Sequence, residues 1–163
     1  MKSGHTWRTA TIAVGFAVVG WGAPYDQASA ADRTRIDGEF EGCDYDQMYA
    51  LTDGRILVCG EYQYQYAYSP EVIVLDEATV LIDKKEYRAA TVAGNVYRTN
   101  VSAEFNGCEH DKYISFDNGL IFQCSTYHYQ YAYRPKVEIF VISGQGYQVT
   151  IHGKKYAGKL FKR

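Results

Sequence analysis

Two stretches of this chain, residues 33–75 and 98–140, align at a constant offset of 65 without a gap, and 18 of the 43 aligned positions are identical. A repeat of that size is one supersecondary unit used twice, so any fold for the chain must divide into two equivalent halves. The shared pattern is E-F-x-G-C-x-x-D, then G-x-I-x-x-C, then Y-x-Y-Q-Y-A-Y-x-P-x-V. The first copy supplies Glu39, Phe40, Gly42, Cys43, Asp46, Gly54, Ile56, Cys59 and Tyr62 through Val72. The second supplies Glu104, Phe105, Gly107, Cys108, Asp111, Gly119, Ile121, Cys124 and Tyr127 through Val137.

Residues 1–30 stand outside the repeat and read as a secretory signal peptide. Lys2 and Arg8 precede the uncharged apolar run Thr9–Trp21, Pro24 breaks it, and Ala28-Ser29-Ala30 is a small-x-small cleavage site. The run is short beside the ~20 residues that a membrane span needs, so no span is expected after cleavage. The implied compartment is extracytoplasmic: a bacterial periplasm or the medium. Cleavage removes Lys2, Arg8 and Asp26 and leaves fifteen Lys and Arg against eighteen Asp and Glu, a net charge of about −3. That balance provides no positive field to gather nucleic acid. The basic C-terminal stretch with Lys154, Lys155, Lys159, Lys162 and Arg163 reads as an edge strand guarded by lysines, with weak contact to an anionic surface as the alternative.

Export also gives the four cysteines a reading. An even number in an oxidising compartment argues for disulfides, and four cysteines allow three pairings. The repeat favours Cys43–Cys59 and Cys108–Cys124, each closing one copy on itself. A staple of that loop size is worth ~3 kcal/mol in the chain-entropy model, large for a 60-residue unit with a marginal core. Zinc knuckles use spacings of two to four residues, so no metal site is expected here.

Each copy alternates short strand-like runs with turns. Asp53-Gly54 and Asn118-Gly119 occupy the same position and mark a hairpin. Tyr62, Tyr64, Tyr66 and Tyr68 alternate with Gln63, Gln65 and Ala67, and Tyr127, Tyr129, Tyr131 and Tyr133 alternate with His128, Gln130 and Ala132. Period two puts the four rings of each copy on one face of an extended strand, which Pro70 and Pro135 end. A last hairpin is expected around Asp83–Glu86 and again around His152–Lys155, with the second copy four residues longer at Ser143-Gly144-Gln145-Gly146. The expected organisation is a signal peptide at 1–30, repeat 1 at 33–92, a connector at 93–97 too short to act as a tether, and repeat 2 at 98–163.

Five or six short strands in about 60 residues indicate an all-β fold of two tandem small closed or nearly closed barrels, each with one disulfide. The run G-x-x-x-C-x-x-Y-x-Y-Q-Y-A-Y-x-P-x-V, followed by a hairpin, resembles a short uncharacterised bacterial domain family of SH3-like type, and the resemblance covers each repeat nearly whole. Where that family carries a Trp three residues after the hairpin Gly, this chain has Leu57 and Phe122, and its cysteines are an addition to the pattern. The resemblance implies tandem SH3-like barrels and carries over no catalytic residues.

The eight stripe tyrosines have three readings on sequence alone: core, packing between the repeats, or a ligand groove. A strand alternating aromatic and polar residues is ordinarily half-buried, with the rings inside. Four rings along ~20 Å of strand overfill a barrel this small, so the expectation is buried middle rings and partly exposed outer ones. Exposed rings would suit a groove for an extended peptide or a stacking face for sugars, and the local partners would be an envelope protein or a cell-wall component. The chain is expected to be a monomer or to self-associate weakly.

Catalysis has little to stand on. The histidines of the mature chain, His110, His128 and His152, all fall in repeat 2, and G-x-S-x-G, H-E-x-x-H, P-loop and C-x-x-C patterns are absent. The acidic pairs Asp44/Asp46 and Glu109/Asp111 lack the ligand count of a calcium loop. The expectation is a non-catalytic protein with no cofactor. A purely structural protein is the alternative, and an enzyme centred on His110 or His128 a distant third.

Overall fold

A computed structural model describes residues 31–162. The expected signal peptide, residues 1–30, and Arg163 lie outside them. The described residues form an all-β structure with no helix. Repeat 1 contains β1 (Asp32–Arg35), β2 (Glu39–Phe40), β3 (Met48–Ala50), β4 (Ile56–Cys59), β5 (Ala67–Tyr68), β6 (Glu71–Val74), β7 (Thr79–Ile82) and β8 (Lys85–Val92). Repeat 2 contains β9 (Asn95–Asn100), β10 (Glu104–Cys108), β11 (Tyr113–Ser115), β12 (Leu120–Cys124), β13 (His128–Tyr133), β14 (Lys136–Ile142), β15 (Gly146–Ile151), β16 (Lys154–Tyr156) and β17 (Gly158–Lys162).

All pairings are antiparallel and recur in both copies. In repeat 1 the order is β1-β6-β7-β8-β4-β3, and a single bridge between Ile36 and Leu51 links the chain just after β1 to the end of β3. In repeat 2 the corresponding strands form β16-β15-β14-β9 and β11-β12-β17, with a bridge between Val101 and Phe116 at the matching place. The long β8 pairs with β7 through its first half and β4 through its second. Its counterpart in repeat 2 is interrupted at Ala157 and becomes β16 and β17. The end of the tyrosine segment pairs with the opening of its own copy as a separate ribbon, β2 with β5 and β10 with β13.

The turns explain several residues that the copies share. Gly54 and Gly119 take φ of 88° and 83°, and their N–H groups donate to Leu51 O and Phe116 O across the hairpin at 3.0 Å. A three-to-five-residue loop built on a type I turn needs this left-handed residue, and Gly adopts it without Cβ strain. Asp46 and Asp111 also sit left-handed, at φ 59° and 62°, and donate their N–H groups to Cys59 O and Cys124 O. The acid kept in both acidic pairs is therefore a turn residue. The last hairpins are tighter than expected. Asp83-Lys84 and His152-Gly153 alone form them, with φ between 47° and 75°, as the two-residue hairpin turn requires. His152 is accounted for as a turn residue.

Each repeat has its own core. In the first, Phe40, Leu57, Val72, Val80, Ile82 and Tyr87 are fully buried, and in the second Phe105, Phe122, Val137 and Ile151 fill the matching volume. Cys43 is bonded to Cys59 with Cα atoms 5.4 Å apart, and Cys108 to Cys124 at 5.5 Å. All four sulfurs lie inside their own copy's core cluster.

A third cluster lies between the repeats. Period two along β3, β4 and β8 sends Tyr49, Leu57 and Tyr87 inward and Met48, Ile56, Val58 and Val92 outward. That outward face packs on Val96 of β9 and on Phe140 and Ile142 of β14. Ile56 and Phe140 are completely buried there. β9 begins at Asn95, so the expected connector 93–97 contracts to Ala93-Gly94. A Cβ on Gly94 would sit 2.7 Å from Val141 O, which leaves room for glycine alone. Polar contacts ring the cluster: Arg98 to Asp37 at 2.7 Å, and the Gln148 amide to Asp46 O at 2.7 Å.

The expected tyrosine strand forms in repeat 2, as β13, but not in repeat 1: Tyr62 to Tyr66 are not in a regular strand, β5 covers only Ala67–Tyr68, and Gln63 makes a lone bridge to Cys43. The middle rings are not buried either. All eight point outward, from 57 % exposed at Tyr131 to 75 % at Tyr68 and Tyr133. The packing between repeats uses aliphatic side chains and Phe140 instead. The reason is that each interior already holds one tyrosine from the last hairpin, Tyr87 or Tyr156, against Phe40 or Phe105 in edge-to-face contact. The alternating residues Gln65 and Gln130 turn inward and accept those hydroxyls, at 2.6 Å and 2.8 Å. A buried phenol needs such an acceptor, and the amide oxygen supplies it.

Candidate functional site

Gly42 and Gly107 set the position of the tyrosine segments. They take φ of 90° and 75°, and a Cβ on either would collide with the backbone of the crossing segment, at Gln63 and Tyr64 in one copy and at His128 and Tyr129 in the other. Each segment thus lies directly over the Gly-Cys corner, pinned by Cys43 and Gln63 exchanging N–H···O bonds at 2.9 Å in repeat 1. Tyr49 supports the same corner from below: its hydroxyl donates to Gly42 O at 2.7 Å and accepts from the Gln47 amide. Burial pushes the Tyr49 phenol far above its ordinary pKa, so it stays a neutral donor. With the inward face committed to Gln65 and Gln130, the outward rings carry no packing load.

The tyrosines of repeat 1 line a cleft of about 490 Å³ where the two repeats meet. Tyr62, Tyr64 and Tyr66 form one wall. The other comes from repeat 2: His128, the Gly153 turn, Lys154 and Lys155. Glu41, Cys43 and Asp44 also line the cleft. The charges are partly matched within the cleft: Lys154 stands 3.8 Å from Glu41, and Lys155 donates to Tyr45 O at 2.9 Å. The cleft is therefore polar and of mixed charge, with three tyrosines on one side. Its shape depends on the junction, because neither repeat supplies both walls.

The structure thus divides the eight sequence-selected tyrosines. Tyr62, Tyr64 and Tyr66 are brought together with repeat 2, whereas Tyr68 lies outside the cleft lining, and so do Tyr127, Tyr129, Tyr131 and Tyr133 on repeat 2 itself. Glu104, across the β10–β13 ribbon, raises the pKa of the Tyr131 phenol through a hydrogen bond and its negative charge. His128 packs edge-on against Tyr156 at 5.5 Å. His110 is exposed and lies outside the cleft lining. No group of three or more His, Cys, Asp or Glu side chains among the described residues could hold a metal ion.

Sequence reasoning missed the contribution of Lys154 and Lys155, read as edge protection, and the role of Gln65 and Gln130. The second had a visible signal. Gln65 and Gln130 are identical between copies, whereas their neighbours Gln63 and His128 differ. A second, apolar groove of about 650 Å³ opens in repeat 2 beside the four-residue insertion, between Tyr97, Tyr147 and Leu160. Among the described residues no helix is long and apolar enough to cross a membrane. No family model matches the sequence, and no curated protein or solved structure matches it either.

Proposed function

We propose that the chain is an exported, non-catalytic binding module that engages an envelope protein or cell-wall component through its tyrosine-rich surface, with the junction cleft as the primary site. The observation that carries this reading is the outward orientation of all eight tyrosines while Gln65, Gln130 and Ala67 face inward. Large apolar rings kept in water in both copies have no folding role to explain them, and contiguous exposed apolar surface ordinarily marks an interaction site. Rings at alternate positions of an extended segment offer a row of flat faces, suited to an extended ligand such as a glycan strand or a peptide. A purely structural protein would have put these rings into the junction, which is built from Ile56, Phe140 and their neighbours instead.

In this reading each repeat is an SH3-like barrel and the two stand in tandem at 33–92 and 98–163. The Ile36–Leu51 and Val101–Phe116 bridges favour it, since they bring the two edge strands of each copy together. The pair of disulfides favours an oxidising, extracytoplasmic location after removal of residues 1–30. Cosedimentation with purified insoluble cell wall tests the proposal. The bound fraction should fall at least about tenfold in a Tyr62→Ala/Tyr64→Ala/Tyr66→Ala variant, as expected when aromatic anchors are removed. Both Trp residues lie in 1–30, so the intrinsic fluorescence of the processed chain comes from tyrosine and should change on binding. Equal sedimentation of both proteins, with unchanged tyrosine fluorescence, would sink the cell-wall reading. A wall-independent partner captured equally by the triple variant would sink the tyrosine surface altogether.

A further inference from the structure

The contact between the repeats is not symmetric. Repeat 1 contributes the outer face of β3, β4 and β8, and repeat 2 the outer face of β9 and β14. Two copies of one unit joined through different faces form a heterologous, head-to-tail contact, which leaves one face of each kind unused at the ends. Equivalent positions differ by 65 before the insertion and by 69 after it, so the unused faces can be located residue by residue.

The face of repeat 2 that matches Met48, Ile56 and Val92 carries Tyr113, Ile121 and Phe161. Its register is the same: Ile56 is paired with Val92, and Ile121 with Phe161. Ile56 is fully buried by the junction, whereas Tyr113 and Phe161 are 63 % and 42 % exposed, with rings 6.5 Å apart. The face of repeat 1 that matches Phe140 on β14 carries Leu75, which is 51 % exposed, beside Ile73 and Leu81, which are paired across β6 and β7. Both unused faces keep apolar residues at these positions, although Gln123 stands where Val58 does and Glu77 where Ile142 does, and they lie on different repeats.

We infer that these two faces bind each other between molecules, so that the chain self-associates head-to-tail: Tyr113, Ile121 and Phe161 of one copy dock on Ile73, Leu75 and Leu81 of the next. The intramolecular junction is the template for the contact. The polar rim is weaker between molecules. Asp37, which holds Arg98 at the internal junction, is replaced by Ser102, and Glu41, which faces Lys154, is replaced by Asn106. Met48 and Val92 are replaced by larger aromatic rings, which adds contact area in partial compensation. The association is accordingly weak and reversible, and it extends into short linear oligomers unless the rotation per copy closes a ring.

Sedimentation velocity of the purified protein over about a hundredfold range of concentration, up to about 1 mM, reads it directly. The expected result is a weight-average mass that rises with concentration. Phe161→Glu and Leu75→Glu should each raise the dissociation constant at least about tenfold, since each puts a charge at the centre of an apolar contact. An equimolar mixture of the two variants should form heterodimers and nothing larger, because one competent face of each kind remains. Both positions are exposed, and unchanged near-UV circular dichroism verifies the fold. A wild-type protein that stays monomeric throughout overturns the inference without reference to any variant. So does association abolished by Phe161→Glu but untouched by Leu75→Glu, which would mean that like faces meet, and so does a variant mixture that fails to associate.

Discussion

Phe140 offers the sharpest test of whether the two repeats form one structural unit. Its ring is completely buried, yet it belongs to neither repeat core. It sits on the outer face of β14, against Ile56 and its neighbours from repeat 1. Phe140→Ala therefore removes a ring from the junction while leaving Phe105 and Phe122 in the core of repeat 2 untouched. Truncating a buried Phe costs about 3–5 kcal/mol, the transfer free energy of the ring plus the cavity left behind. The Gly94 corner, closed by Ile56 and Val141 O, leaves the strands little room to collapse into that cavity, which favours the upper half of the range.

Urea unfolding converts the cost into an observable. With a slope of about 1.5–2 kcal/mol per molar for a protein of this size, the midpoint should fall by about 2–3 M. Tyrosine fluorescence and far-UV circular dichroism should report the loss together if the repeats unfold as one unit. If the junction alone is weakened far enough, the transition should split into two, one per stapled repeat. Tyr127→Ala is the control: the ring is 73 % exposed, and its loss should stay within about 0.5 kcal/mol. A midpoint shift below about 0.5 M for Phe140→Ala would refute the reasoning, because a ring that buried cannot be lost so cheaply unless the repeats do not meet through it.

Three further outcomes follow from the same geometry. Gly107→Ala should cost about 2 kcal/mol or more by thermal denaturation, since the residue is left-handed at φ 75° and its Cβ would strike the crossing segment, whereas Gly144→Ala, also left-handed but open to solvent, should cost only the strain of about 1–2 kcal/mol. Replacing Cys108 and Cys124 by Ala should remove about 3 kcal/mol, matching a closed loop with a sequence separation of 16, and should destabilise repeat 2 before repeat 1 as read by limited proteolysis. Burial raises the Tyr156 phenol to about 12 and also raises Tyr87, above an ordinary value of 10.0. A raised folded-state pKa means that the unfolded chain gives up its proton first. The stabilisation is complete below pH 10 and is lost as pH climbs towards 12, so unfolding in that window should coincide with a late rise in tyrosinate absorbance that Tyr156→Phe diminishes.

The architecture was largely legible because its determinants are local. The Asx-Gly hairpins, the stopping prolines and the paired cysteines each dictate a backbone event within a few residues. The side of the tyrosine segments was not legible, for a physical reason. Period two assigns alternate residues to opposite faces but does not say which face is inside, and hydrophobicity decides that only when one set is clearly more apolar. Here the outcome depends on Tyr87 and Tyr156, roughly two dozen residues downstream, which occupy the interior first and need amide acceptors. The choice of Gln65 over a tyrosine ring is thus a tertiary hydrogen bond, formed by residues that no local window contains.

The junction was written in the positions where the copies disagree. Ile56-Leu57-Val58-Cys59 and Ile139-Phe140-Val141-Ile142 are unbroken apolar runs, the signature of strands buried on both faces. Their counterparts, Ile121-Phe122-Gln123-Cys124 and Val74-Leu75-Asp76-Glu77, break these runs with Gln123, Asp76 and Glu77. A shared core explains the positions that match, and the internal junction explains runs that are apolar on both faces in one copy each. The same comparison shows why the cleft belongs to the pair. Glu41, Asp44 and the tyrosines of repeat 1 meet Lys154, Lys155 and His128 of repeat 2 only because that single asymmetric contact exists. A duplication that began as two equal units thus gives one cleft with two unlike walls, whose chemistry neither copy possesses alone.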